Sequence, residues 1–151
     1  MAEISSREYR SLAEFRYQLR RFLHFSETEA KQAGIEPQQH QLLLAVKARE
    51  PEHAGIGYLA ERLQLRHHSV VELVDRMERS GLASRKRRDT DRRSADVALT
   101  PKGAKVLRDL SLPHRKELRS AIPALVDALV AVRGSRANRS PKREIQTRSK
   151  V

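Results

Sequence analysis

Leu12, Phe15, Leu19, Phe22 and Leu23 recur at spacings of three and four, with Arg16, Gln18, Arg20 and Arg21 between them. That is the period of one helical face, and it predicts a long amphipathic helix over about 6–32. Gly34 ends it. Pro37 stands where a first helical residue belongs, ahead of Leu42, Leu43, Leu44 and Val46, so a second helix runs from there to about Glu50. Pro51, Gly55 and Gly57 punctuate a connection, and Tyr58 to Leu63 reads as a short third helix. From His67 to Ser80 the apolar set is Val70, Leu73, Val74 and Met77, on one face of a fourth helix, and Gly81 follows where a left-handed cap is wanted.

After Gly81 the period changes. The stretch from Leu82 to Arg87 and the stretch Val97 to Leu99 flank a charged loop and predict a two-stranded hairpin, with Asp89, Thr90, Asp91 and Ser94 as turn formers. Thr100 and Pro101 are a helix start, and Val106, Leu107 and Leu110 follow on one face. Pro113 is expected to kink this helix, and Pro123 to begin a separate last one with the stripe Ile122, Leu125, Val126, Leu129 and Val130. No internal repeat is visible. The fold class expected is mainly α with one small β-hairpin.

Composition narrows the partners. A chain of 151 residues suits one domain, and with aromatics at 4% its core must come from Leu, Val, Ile and Ala. The formal charge is +12, which attracts polyanions. It is concentrated in two places. Residues 85–93 carry six basic and two acidic groups, and residues 133–151 carry seven basic and one acidic. The second stretch is polar, interrupted by Gly134 and Pro141, and too poor in apolar residues to offset the entropy of ordering, so 134–151 is expected to be a disordered basic tail. The first lies between apolar-patterned stretches and belongs to the folded domain. Cys is absent, which excludes disulfides, thiolate-bound zinc and thiol redox sensing. No window approaches a membrane span and no apolar segment follows the N-terminus, so a cytoplasmic protein without membrane attachment is expected.

The chemistry-bearing residues point the same way. No Gly-rich phosphate loop, nucleophile–base order or paired carboxylate in an apolar setting is present, so no enzyme is expected and no cofactor. His67 and His68 are adjacent and point about 100° apart on a helix, which does not converge on one ion, so no metal is expected. Phe22, Phe25, His40 and Tyr58 are a candidate ligand pocket, set against the commoner role of such aromatics as core. With its apolar face turned inward, the fourth helix presents His67, His68, Ser69, Val71, Glu72, Asp75 and Arg76, with Arg66 just before it. Such a set can read base edges: Val71 against a thymine methyl, Glu72 accepting from cytosine, Arg76 on guanine or phosphate. Glu72 is equally suited to a weak surface pairing with Arg76 one turn on.

A short helix, a turn, a second helix and then a basic hairpin is the order of a winged helix-turn-helix. The sequence resembles the MarR family of bacterial transcriptional regulators through Leu59-Ala-Glu-Arg-Leu63, the run from Ser69 to Glu78, Gly81-Leu82, Asp91-Arg92-Arg93 and Leu99-Thr-Pro-Lys-Gly103. The resemblance covers about residues 8–132. It departs at Arg66, where the family commonly has a Ser cap, at Glu72, where a basic or small residue is frequent, and in a wing about one residue shorter. It implies one domain over 1–133, with DNA-binding parts at about 54–99 and dimerisation helices at 6–32 and 101–132. It also implies a sequence-specific, homodimeric regulator, expected to be a repressor, bound to a pseudo-palindromic operator in double-stranded DNA and released by a small-molecule effector. By the same resemblance Asp91 orients a neighbouring Arg of the wing, matched here by Asp91-Arg92-Arg93 with Arg93 as the candidate, into the minor groove. Arg85, Lys86, Arg87 and Arg88 are read as phosphate contacts, which position without specifying. The rival is a nonspecific nucleic-acid or chromosome-associated protein that uses the same basic wing and tail.

Overall fold

The computed structural model describes residues 3–88 and 91–134, with 87, 88 and 91–94 described by backbone alone. Its elements in order are α1 Ser6–Gln32, α2 Pro37–Arg49, β1 Ala54–Gly55, α3 Ile56–Leu63, α4 His67–Arg79, β2 Ala83–Arg88, β3 Asp91–Leu99 and α5 Pro101–Gly134. The three strands form an antiparallel sheet in the order β1-β3-β2. The chain divides into two units, one holding 23–119 and the other the outer parts of α1 and α5, 3–22 and 120–134.

Local chemistry explains the boundaries. Ser5 and Glu8 cap α1 reciprocally: the Ser5 main-chain N–H donates to Glu8 Oε2 at 2.8 Å and the Glu8 N–H to Ser5 Oγ at 3.3 Å. Gly34, at φ +77°, turns the chain out of α1 while the Ile35 N–H returns to the Ala30 carbonyl. Pro37 opens α2 behind Glu36, whose N–H donates to Gln39 Oε1 at 3.0 Å. At the end of α4 the Leu82 N–H returns to the Met77 carbonyl at 2.9 Å around Gly81, at φ +71°. Thr100 then ties the hairpin to α5: its hydroxyl donates to the Gly81 carbonyl at 2.6 Å and accepts the Gly103 N–H at 3.1 Å.

The core of the 23–119 unit is the apolar set of the short helices. Leu42, Leu43, Leu59, Val70, Leu73, Val74 and Met77 are fully buried, joined by Ile35, Leu82, Val97, Leu107 and Leu110. All four apolar positions expected of α4 are therefore inward. In the other unit Leu12, Leu19, Ile122, Val126, Leu129 and Val130 are exposed although they lie on the apolar stripes of α1 and α5.

Three expectations are corrected. α5 is continuous from Pro101 to Gly134, so no new helix begins at Pro123. Each proline removes one intrahelical bond, but burial of Leu110 and His114 beside the first and of Ala128 beyond the second holds the helix through both. α3 begins at Ile56 rather than Tyr58, because β1 ends at Gly55, which pairs with Asp96 and serves as the helix N-cap. That two-residue strand, too short to show a period, was not expected at all.

Candidate nucleic-acid interface

α3 and α4 make a helix-turn-helix. Gln64 takes the left-handed conformation at φ 52° and closes α3, its side-chain amide donating to the Glu61 carbonyl at 2.8 Å. Three residues then lead into α4. Its N-cap, Arg66, has no side-chain acceptor with which to make a cap bond, and it is exposed, as are His67 and His68 in the first turn. Glu72 is exposed, and Ser69, Val71 and Arg76 are half-buried. These seven residues lie together on the first three turns of α4, flanking its buried face.

Arg76 is not paired with Glu72. Its Nη2 donates to Glu36 Oε2 at 3.1 Å, which connects α4 to the cap of α2, and its Nε is buried without a partner among the described residues. Arg85 is engaged more fully. Its guanidinium donates to Asp75 at 2.6 Å, to Glu78 at 2.5 Å and to the Val71 carbonyl at 3.2 Å. Burial opposes its charge, but the two carboxylates outweigh burial and raise it above the ordinary arginine value. Arg85, expected to grip phosphate, thus fastens the first strand of the wing to α4. Lys86 next to it is exposed. A register shift separates Arg87 from Arg88, and Arg88 faces Asp91 across the ladder. The side chains of Arg87, Arg88, Asp91, Arg92 and Arg93 lie outside the described residues, as does the tail from 135 on.

Of the candidate pocket, Phe25 and His40 come together on a residue the sequence reading passed over, His114. The His40 and His114 ring centroids are 4.6 Å apart and Phe25 meets His114 edge-on at 5.3 Å. Tyr58 is engaged elsewhere, its ring under Arg49 at 4.7 Å and Arg62 at 5.5 Å, and no ring contact joins it to the histidines among the described residues. Phe22 is half-buried. His40 is pushed down to about 4 by burial and by the neighbouring His114. No group of three or more metal-ligating side chains occurs among the described residues. None of the described helices is long and apolar enough to cross a membrane.

Glu78 and Glu36 were also missed as working residues, and Asp75, expected on the outward face of α4, instead holds Arg85. Asp75 and Glu78 lie one turn apart, and two acids so placed before a basic strand were the available signal. Nothing local announces the pairing of Glu36 with Arg76, forty residues apart.

A three-helix core with α4 presented beside a two-stranded wing defines the winged helix-turn-helix class. A model of the MarR family matches residues 33–94, so that segment of the chain is similar to MarR-family proteins. A curated relative, the uncharacterized HTH-type transcriptional regulator YsmB of Bacillus subtilis, is 26% identical over 77 residues, 51% of this chain; the chain spans about half of that relative, 53%. Among solved structures, AbsC, a MarR family transcriptional regulator from Streptomyces coelicolor, superposes with a TM-score of 0.74 at 18% identity over 91% of this chain and 95% of its own. A MarR family protein from Bacillus stearothermophilus gives 0.68 at 21% over 87% and 91%. A point mutant of MepR from Staphylococcus aureus, bound to an oligodeoxyribonucleotide, gives 0.62 at 21% over 80% and 84%.

Proposed function

We propose that the protein is a sequence-specific, double-stranded-DNA-binding transcriptional regulator that works as a homodimeric repressor in the cytoplasm and is not an enzyme. The observation that carries this reading is the exposed start of α4, Arg66 to His68, on a helix whose far side is fastened through Arg85 to a strongly basic hairpin. Helix and wing fit adjacent grooves, with base edges read by α4 and phosphates by the wing. The DNA-binding part is 54–99. The helices 6–32 and 101–132 make the dimer, a role supported by the exposed Leu12, Leu19, Ile122, Val126, Leu129 and Val130. One such module buries about 600–1,000 Å² on DNA, so two are needed for tight binding and the operator is a pseudo-palindrome. Residues 134–151 add phosphate contacts, and an effector that disturbs the cluster at Phe25 and His40 releases the DNA.

The test is selection of bound fragments from genomic DNA, followed by footprinting and titration against scrambled duplex. Half-sites about 34 Å apart, and binding that weakens with salt at a log–log slope steeper than about −2, are expected. A single asymmetric half-site at one chain per duplex overturns the dimer. Equal affinity for selected and scrambled duplex favours the nonspecific reading.

A further inference from the structure

His40 and His114 are 5% and 8% exposed, with ring centroids 4.6 Å apart, and they draw together three helices of the 23–119 unit. His114 lies on α5. Its Nδ1 is 2.7 Å from the Leu110 carbonyl, which can only accept, so Nδ1 carries the proton; in the neutral ring Nε2 then accepts from the Ser26 hydroxyl of α1 at 2.8 Å. His40 on α2 differs. Neither of its ring nitrogens has a hydrogen-bond partner among the described residues, and its contact is the face of another imidazole. The group acting electrostatically on it is His114; α1 contributes Phe25 and Ser26 to the cluster, and the carboxylate one turn earlier on α2, Glu36, is held by Arg76. A proton arriving on His40 therefore finds a second histidine beside it and, among the described residues, no anion acting on it.

The position of His40 gives that proton a mechanical route. Its main-chain N–H donates to the Glu36 carbonyl at 3.2 Å, in the first turn of α2, and the Glu36 side chain holds Arg76 on α4 at 3.1 Å. We propose that the His40–His114 pair is a proton-operated element: protonation of His40 expels it from the cluster, loosens the first turn of α2, releases Glu36 from Arg76 and so weakens DNA binding at acid pH. The inference rests on the DNA-binding reading and names the proton as one effector. The low value of His40, about 4 against an ordinary 6.5, fits a ring that is neutral when seated and takes its proton on leaving.

Affinity for a duplex selected by the protein at about pH 7.5 is measured there and at about pH 5, either side of the ordinary histidine value. Wild type, His40→Gln and Glu36→Gln are compared, so that other histidines cancel. The seated state loses up to about 30-fold relative to the open one over this range. Wild type is expected to lose a measurable part of that, at least about fivefold, beyond what His40→Gln loses. Glu36→Gln is expected to lose less than wild type while leaving the His40 titration, followed by the ring-proton NMR signal, unchanged. Equal pH profiles for wild type and His40→Gln overturn the proposal. So does a wild-type His40 signal titrating at the ordinary value, a readout that survives if His40→Gln fails to fold. Absence of DNA binding at every pH, with His40 titrating low, instead sinks the DNA-binding reading.

Discussion

Glu78 receives Arg85 twice: the main-chain N–H donates to Oε1 at 2.7 Å and the guanidinium Nη1 to Oε2 at 2.5 Å. One carboxylate on α4 thereby fixes both the path of β2 and the aim of its first arginine. Asp75, one turn earlier, takes the other end of the guanidinium at 2.6 Å.

Arg85→Ala should therefore loosen the wing. It removes three side-chain bonds from a half-buried group and leaves two carboxylates facing each other, a predicted loss of about 1–2 kcal/mol in urea unfolding. Arg85→Lys keeps the charge but cannot bridge Asp75, Glu78 and Val71 together, and should recover less than half of the loss. Full recovery by lysine would mean that only the charge matters.

Gly103 gives a second prediction, with a sign opposite to helix propensity. Alanine in a helix interior normally stabilises by roughly 0.5–1 kcal/mol over glycine. Here a Cβ would lie 1.9 Å from the Leu82 carbonyl oxygen and 3.2 Å from Leu43 Cδ2. Backbone cannot yield as a side chain can, so Gly103→Ala should cost about 3 kcal/mol or more, read as a fall in Tm on the order of 10 °C. An unchanged Tm contradicts the close approach of α5 to the turn after α4.

The third prediction concerns stability against pH. The folded value of His40 is lowered to about 4 from 6.5, so between these values the unfolded chain binds more protons. The stability His40 contributes is thus complete above about pH 6.5 and is lost as pH falls toward 4, by at most about 3 kcal/mol. Urea midpoints across this window should fall in wild type and flatten in His40→Gln. Parallel curves would show that His40 does not carry the effect.

The sequence announced what depends on neighbours three and four apart. The stripe Val70, Leu73, Val74 and Met77 and the caps at Gly34, Pro37 and Gly81 are local, and all are realised. So was the MarR resemblance, because its motifs sit in the continuous stretch from α3 to the start of α5. What stayed hidden is long-range. Ser26 meets His114 across 88 positions and Arg76 meets Glu36 across 40, and no periodicity encodes either. Pro123 misled for a related reason: local propensity starts a new helix there, and burial of distant partners overrides it. The exposed leucines of α1 show the reverse case, a stripe legible as amphipathic that nothing among the described residues covers.

The last prediction separates the two basic segments, the wing and the tail. The expectation for the wing is that Arg93, oriented by Asp91, enters a minor groove whose narrowing at A·T-rich sequence deepens its negative potential. Seating of that kind occurs on the operator alone. Arg93→Ala should therefore cost about 1–3 kcal/mol on a selected duplex and far less on scrambled DNA. Residues 134–151 carry their cations on a segment poor in apolar residues, expected from its sequence to lack order, and such a chain touches phosphates without register. Its removal should weaken both duplexes by similar factors and flatten the salt slope, leaving their ratio nearly unchanged. Both variants are measured on both duplexes at two salt concentrations. Equal losses for Arg93→Ala on the two sequences would reduce the wing to a backbone grip. A tail deletion that erases the preference for the selected duplex would move specificity from the folded wing to the basic C-terminal segment.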